Sequence, residues 1–316
     1  MADDKKKKPL VLKQKPMLQV VYALIPLTVF AVYLFGWRVL VVLAVVNLAG
    51  FLAEYLMVRK SGGQVSSAVF TSSFIFALSL PPTIPLWIAV VGIVFGVVFG
   101  KMVFGGFGRN IFNPALSGRA FIYVSFGVPL TSKWVAPFWG GAGGFVAYNA
   151  DAVSSATPLV RLAGSGIVDK ISLLVGNVSG SMGETSAILI IIGGLILMIR
   201  KVASFRIVVS GIAGFLVFQT IFWLLGLGKF YDPVSAILSG SFLFGVMFCI
   251  TDPISASQTT NGGRWIYGAI FGVLCALIRT FSSWPAAVTF AVLIANMFAP
   301  LLDHLMKQAK KKVKTA

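Results

Sequence analysis

SFIFALSLPP, Ser73 to Pro82, and SFLFGVMFCITDP, Ser241 to Pro253, begin alike and both run into proline after a short apolar stretch. A helix that crosses a bilayer needs about 20 apolar residues, because it rises about 1.5 Å per residue through about 30 Å of hydrocarbon. Proline has no amide proton and stops a helix. Short apolar runs stopped this way at matching points predict broken or re-entrant helices, whose free backbone ends face a ligand or an ion. Each stretch is followed by a glycine-rich segment, GIVFGVVFG (92–100) and GAIFGVLC (268–275), which strengthens the correspondence. The plainer alternative is two ordinary spans that end in proline.

Outward from these stretches the chain is oily. Of its 316 residues 58% are hydrophobic and 11% charged, with a mean hydropathy of +0.93. Soluble domains are about 25% charged, so the composition indicates an all-α integral membrane protein. Ten apolar runs are expected to span, at 17–35, 37–58, 65–80, 84–104, 112–130, 185–199, 205–226, 234–250, 264–281 and 284–303. Five spans per half is odd, so the halves are expected to be inverted five-helix repeats. Residues 1–16 and 305–316 form basic tails, 17–130 and 185–304 the two membrane repeats, and 131–184 the intervening polar segment.

The net charge is +17, but the lysines cluster before the first span and after the last. That is the positive-inside pattern and puts both termini in the cytoplasm. With segments 59–60, 101–119, 200–206 and 264, that side holds 20 of the 26 Lys and Arg. Segment 131–184 then lies outside. Nucleic-acid binding would need basic residues interleaved with aromatics on one folded face, which this distribution lacks. Cys249 and Cys275 lie in apolar runs without CxxC spacing, and the sole histidine, His304, adjoins Asp303 at the last span's end. Neither set holds a metal or an iron–sulfur cluster; the thiols read as small buried hydrophobes and His304 as a solvated interfacial residue.

Few residues carry chemistry. Glu54, inside a span, is either a functional intramembrane acid or a residue about a turn from Arg59 that meets water. Asp252, at the second helix break, either attends a cation or caps the next turn. In GRNIFNPALSGRAF (108–121), Asn110 and Asn113 are spaced to share a helical face, and Asn-Pro favours a turn before a span. GGFG (105–108) lacks the Lys-Ser/Thr of a P-loop. Gly92, Gly96 and Gly100 allow a close helix approach and need no cofactor. In DAVSSATP (151–158), Thr157 and Pro158 read first as an N-cap and a first helical residue.

GRNIFNPALSGRAFIYVSF (108–126), DAVSSAT (151–157), TDPISASQTTNGGRWIYG (251–268) and NMFAPLLD (296–303) change that reading. Over nearly its whole length the chain resembles the family of the D subunit of the Rnf ferredoxin:NAD oxidoreductase complex. The homologous B subunit of the Na+-translocating NADH:quinone reductase, usually longer at its N-terminus, belongs to the same family. Asp151, Ser154, Ser155, Ala156 and Thr157 match the family's flavin-attachment pattern, with Ser155 where glycine is more usual. The resemblance implies FMN joined by a phosphodiester to the Thr157 hydroxyl, made by a separate flavin transferase outside a prokaryotic cytoplasmic membrane. It further implies a non-covalent riboflavin near Asn110 and Asn113. The expected activity is that of one subunit, incomplete alone, in an ion-translocating ferredoxin:NAD oxidoreductase that exports Na+ or H+. Its expected partners are other Rnf-type membrane, iron–sulfur and flavin subunits, with Glu54 and Asp252 on an ion path. The rival is a stand-alone inverted-repeat channel or transporter without redox chemistry.

Overall fold

Runs of Leu, Ile, Val and Phe with no polar period fold as helices that are apolar on every side, as a lipid environment requires. The computed structural model describes residues 9–59, 63–149, 157–164, 168–227, 232–282 and 287–315. In chain order its helices are α1 (Lys15–Phe35), α2 (Arg38–Val58), α3 (Ala68–Leu78), α4 (Leu86–Val97), α5 (Pro114–Ser125), α6 (Gly127–Thr131) and α7 (Pro158–Gly164). They continue as α8 (Lys170–Val175), α9 (Ala187–Ile199), α10 (Phe205–Leu224), α11 (Pro233–Leu238), α12 (Phe242–Phe244), α13 (Asn261–Phe281) and α14 (Ala287–Thr315). Among the described residues the strands are two residue pairs, Val11–Leu12 beside Val65–Ser66, in parallel.

Every one of the ten apolar runs contains helix, but only five described helices are long and apolar enough to cross a membrane: α1, α2, α10, α13 and the first 24 residues of α14. At 11 residues α3 is about 16 Å long, roughly half a hydrocarbon core. The run at 112–130 divides at Phe126 into α5 and α6, and that at 234–250 divides into α11, α12 and a π-helical turn, Gly245–Cys249. A second π turn, Val98–Met102, continues α4. Thus both opening stretches adjoin helix breaks, and the structure shows how carbonyls beside those breaks are satisfied. After α3, the Leu78 and Leu80 carbonyls accept from the Gly183 and Met182 amides at 2.7 and 3.0 Å. Arg38 then donates from Nε to the Pro82 carbonyl (2.9 Å) and from Nη2 to that of Ile84 (2.8 Å). Between α11 and α12 the buried Arg279 does the same, from Nη1 to the Ala236 carbonyl (2.6 Å) and from Nη2 to that of Ser239 (3.0 Å).

The glycines do the packing expected of them. A methyl at Gly96 would overlap the Pro114 carbonyl, and one at Gly118 that of Gly92, so α4 and α5 touch backbone to backbone. Gly268 and Gly272 close α13 onto α10 in the same way, against the Ile207 and Gly211 carbonyls. α2 packs on α3 and α4, α13 on α14, and α1 crosses to α9. Between α6 and α9 the described chain forms only short helices, a 3-10 turn (Gly143–Val146), α7 and α8. This segment folds over one end of the helices and supplies part of the site.

Candidate functional site

Two clefts concentrate the polar side chains. The first, of about 560 Å³, lies among α1, α3, the π turn after α4, the turn before α5 and residues 248–254. The second, of about 640 Å³, lies among α5, the 157–159 corner, residues 178–185 and the α11–α12 break. Helix α5 joins them: Asn113 and Pro114 line the first cleft, Arg119 and Tyr123 the second. Five residues along one helix, Pro114 to Arg119, is an axial offset of about 7–8 Å.

In the first cleft, Lys101 projects from the π turn and its Nζ lies 2.6 Å from Glu54 Oε2, with both side chains 2% exposed. Glu54 Oε1 accepts from the Ser66 amide at 2.8 Å. Glu54 therefore does not meet water near Arg59; its partner is a lysine 47 residues away. Asp252 caps the turn after the second break, accepting from the Ile254 amide (3.2 Å) and the Ser255 hydroxyl (2.8 Å) while also lining the cleft. The turn-capping alternative is thus the one the structure displays.

Asn110 and Asn113 do not share a helical face, because α5 starts only at Pro114. Asn113 is its N-cap: Oδ1 accepts from the Ala115 amide (3.0 Å) and Nδ2 donates to the Cys249 carbonyl (3.3 Å). The Asn113 amide donates to Asn296 Oδ1 (3.1 Å), and Asn296 Nδ2 donates to the Ser255 carbonyl (3.2 Å) and the Tyr267 hydroxyl (2.6 Å). This network ties α5, α13, α14 and the 249–255 loop together. Asn110 is less committed, with Nδ2 on the Phe112 carbonyl at 3.0 Å.

The second cleft holds Thr157. α7 starts at Pro158, as the proline-start reading expects, and the Thr157 carbonyl accepts from the Arg161 amide at 3.0 Å. Asp151, Ser154, Ser155 and Ala156 lie outside the described residues. Across the cleft, Arg119 Nη1 lies 2.7 Å from Glu184 Oε1, with the side chains 10% and 6% exposed. Arg119 Nε is buried with no hydrogen-bond partner. Tyr123, Leu130 and Trp134 form the apolar wall, and Ser179, Ser181 and Thr185 a hydroxyl-rich one.

Residue spacing does not single out Lys101, Arg119, Glu184, Asn296 or Tyr267. The charge count assigns segment 101–119 to the cytoplasmic side; within that segment Lys101 and Arg119 are buried in ion pairs. A lysine and an arginine within apolar runs are the available signal. Cys249 and Cys275 are buried and free, as small hydrophobes should be. Asp303 accepts from the Ser257 hydroxyl (2.6 Å) and the Thr259 amide (3.3 Å), while His304 Nε2 lies 2.9 Å from Gln308 Nε2.

Comparison with known proteins agrees with the resemblance. Residues 11–312 match the NQR2, RnfD, RnfE family. The B subunit of the Na(+)-translocating NADH-quinone reductase of Ectopseudomonas mendocina is 39% identical over 282 residues, covering 87% of this chain and 68% of that protein. Its counterpart in Klebsiella pneumoniae subsp. pneumoniae is 40% identical over 276 residues, 82% of this chain and 63% of that protein. That of Yersinia pestis is 39% identical over 294 residues, 86% and 67% respectively. The chain thus spans roughly two thirds of the length of these relatives.

Proposed function

The chain belongs to the NQR2, RnfD, RnfE family, and on that premise we propose that it is the flavin-bearing, electron-carrying membrane subunit of an Rnf-type complex. Electrons pass between ferredoxin and NAD on partner subunits, and their flow drives Na+ or H+ export. The ten helical segments form two inverted five-helix repeats in a prokaryotic cytoplasmic membrane. Both termini are cytoplasmic, and Thr157 is on the opposite side.

The observation that carries this reading is the second cleft, where the threonine of the Asp-x-x-Ser-Ser-Ala-Thr pattern meets a buried arginine with a spare donor. FMN, joined through its phosphate to Thr157 by a separate flavin transferase, would supply reversible one- and two-electron chemistry there. The residues fit that group. A phosphodiester keeps one negative charge, and a guanidinium offers two donor edges, one of which Arg119 gives to Glu184. The unpartnered Nε is left for an anion. Glu184 holds the guanidinium in place, the aromatic side chains of Tyr123 and Trp134 line the cleft, and both members of the pair are buried.

The first cleft is the proposed riboflavin site. Asn110 is the amide available to an uncharged heterocycle, while Asn113 builds the wall by capping α5. Of the two acids proposed for the ion path, Glu54 is closed by Lys101, and Asp252 faces the cleft.

Denatured membranes from cells that contain the transferase test the reading when viewed under ultraviolet light after gel electrophoresis. A fluorescent band near 33.7 kDa that disappears in Thr157→Ala is expected. A non-fluorescent parent band refutes the attachment and favours a channel or transporter without redox chemistry. A second reading, a subunit of an NADH:quinone reductase, is favoured by the names of the relatives. Reduction of the chain's flavin in the intact complex by reduced ferredoxin, or by NADH, separates the two.

A further inference from the structure

The groove between α1 and α9 serves neither cleft. This open groove spans about 660 Å³, its solvent-facing space included, and is lined by Tyr22, Pro26, Ile192 and Ile196, with Gln19 and Arg200 at one end. Two features make that end unlike ordinary lipid-facing surface. Gln19 Oε1 is buried with no hydrogen-bond partner, and an unmatched buried acceptor is costly. Arg200, exposed at the end of α9, makes no ion pair among the described residues, and Lys201 and Arg206 follow it closely in the chain. α9 has 13 residues, about 20 Å, so its ends cannot both clear about 30 Å of hydrocarbon. Close packing of Gly193 on the Ala23 carbonyl and Phe248 seals the floor of the groove, while Tyr22, Ile192 and Ile196 stand exposed along it.

We propose that this groove is a binding site for one anionic glycerophospholipid with a hydroxyl-bearing headgroup. The phosphate pairs with the Arg200 guanidinium, a headgroup hydroxyl donates to Gln19 Oε1, and an acyl chain lies past Pro26 and Ile192. Charge complementarity commits the site to an anionic lipid, since a zwitterionic one brings its own cation to a basic end. The orphaned acceptor commits it to a headgroup that carries a donor. The proposal is independent of the flavin reading.

Native mass spectrometry of the purified full-length chain in detergent, titrated with phosphatidylglycerol or phosphatidylcholine, tests it. One retained phosphatidylglycerol is expected, with retention about tenfold weaker for phosphatidylcholine and for Arg200→Gln, the scale of one lost charge-assisted hydrogen bond. Ile192→Trp, which fills the groove and leaves the charges alone, is expected to abolish retention. Equal retention of the two lipids, or phosphatidylglycerol retention unchanged in both variants, overturns the proposal. So does a cysteine at position 192 that cross-links to another membrane subunit in intact membranes, because the groove is then a protein interface.

Discussion

The two clefts share helix α5 and each is lined by a buried cation that pairs with a carboxylate, yet the pairs are built differently. In the first, lysine meets glutamate, the second carboxylate oxygen takes a backbone amide, and both side chains are closed off. In the second, arginine meets glutamate through one nitrogen and keeps an unsatisfied nitrogen within the same site. Lysine is a point charge that one partner neutralises, whereas the guanidinium is a fork whose edges act separately. The comparison teaches that a buried ion pair can be complete in itself or can leave hydrogen-bonding capacity unused. The first pair staples α2 to the π turn after α4, and the second joins α5 to the segment that leads into α9.

The largest effect should come from breaking the closed pair. Glu54→Gln leaves Lys101 buried without its counter-charge, at a cost of about 3–5 kcal/mol, and Glu54→Gln with Lys101→Met should recover most of it. Thermal unfolding of the detergent-solubilised protein reads both. A double variant no better than the single one would contradict a purely structural pair.

Arg119 is expected to split by substitution. Arg119→Gln strands Glu184 and destabilises on the same scale, about 3 kcal/mol or more. Arg119→Lys keeps the charge for Glu184 and loses the fork, so folding survives while the in-gel flavin fluorescence falls. Unchanged fluorescence in Arg119→Lys would remove Arg119 from the flavin site.

Smaller effects separate the two asparagines. Asn113→Ala loses a helix cap, about 1 kcal/mol or somewhat more given its further bond to the Cys249 carbonyl, and should lower the melting temperature. Asn110→Ala should leave stability nearly untouched and lower the riboflavin content of the purified complex. Smallest of all is Asp169, which caps α8 beside the second cleft. Hydrogen bonds from the Ser172 hydroxyl and amide and the Ile171 amide hold its carboxyl below the usual aspartate range. Its contribution is complete above the ordinary aspartate pKa and is lost as pH falls through the lowered one. Acid titration of α8 helicity should therefore show a loss in the parent that Asp169→Asn lacks.

Much of this architecture is legible in the linear order of residues, because lipid-facing helices advertise themselves by composition. All ten apolar runs contain helix, Pro81-Pro82 and Asp252-Pro253 do stop helices, and the four-residue glycine spacing does bring helices into contact. Thr157 stands out through a local pattern. What stays hidden is long-range: Glu54 with Lys101, Arg119 with Glu184 across 65 residues, and Asn113 with Asn296 across 183. Residue spacing carries no information on such pairs, and a count of charges by side does not distinguish a buried, paired cation such as Lys101 or Arg119 from a solvated one. The division of the 112–130 run at Phe126, and the π turns, depend on packing that apolar character does not encode.

Peptide mass mapping across Thr157, in membranes from cells with and without the flavin transferase, bears most directly on the second cleft. The account predicts a Thr157 peptide carrying the mass of a phosphodiester-linked FMN when the transferase is present, and the bare peptide when it is absent. A bare Thr157 peptide in both, from a complex that turns over normally, would contradict it.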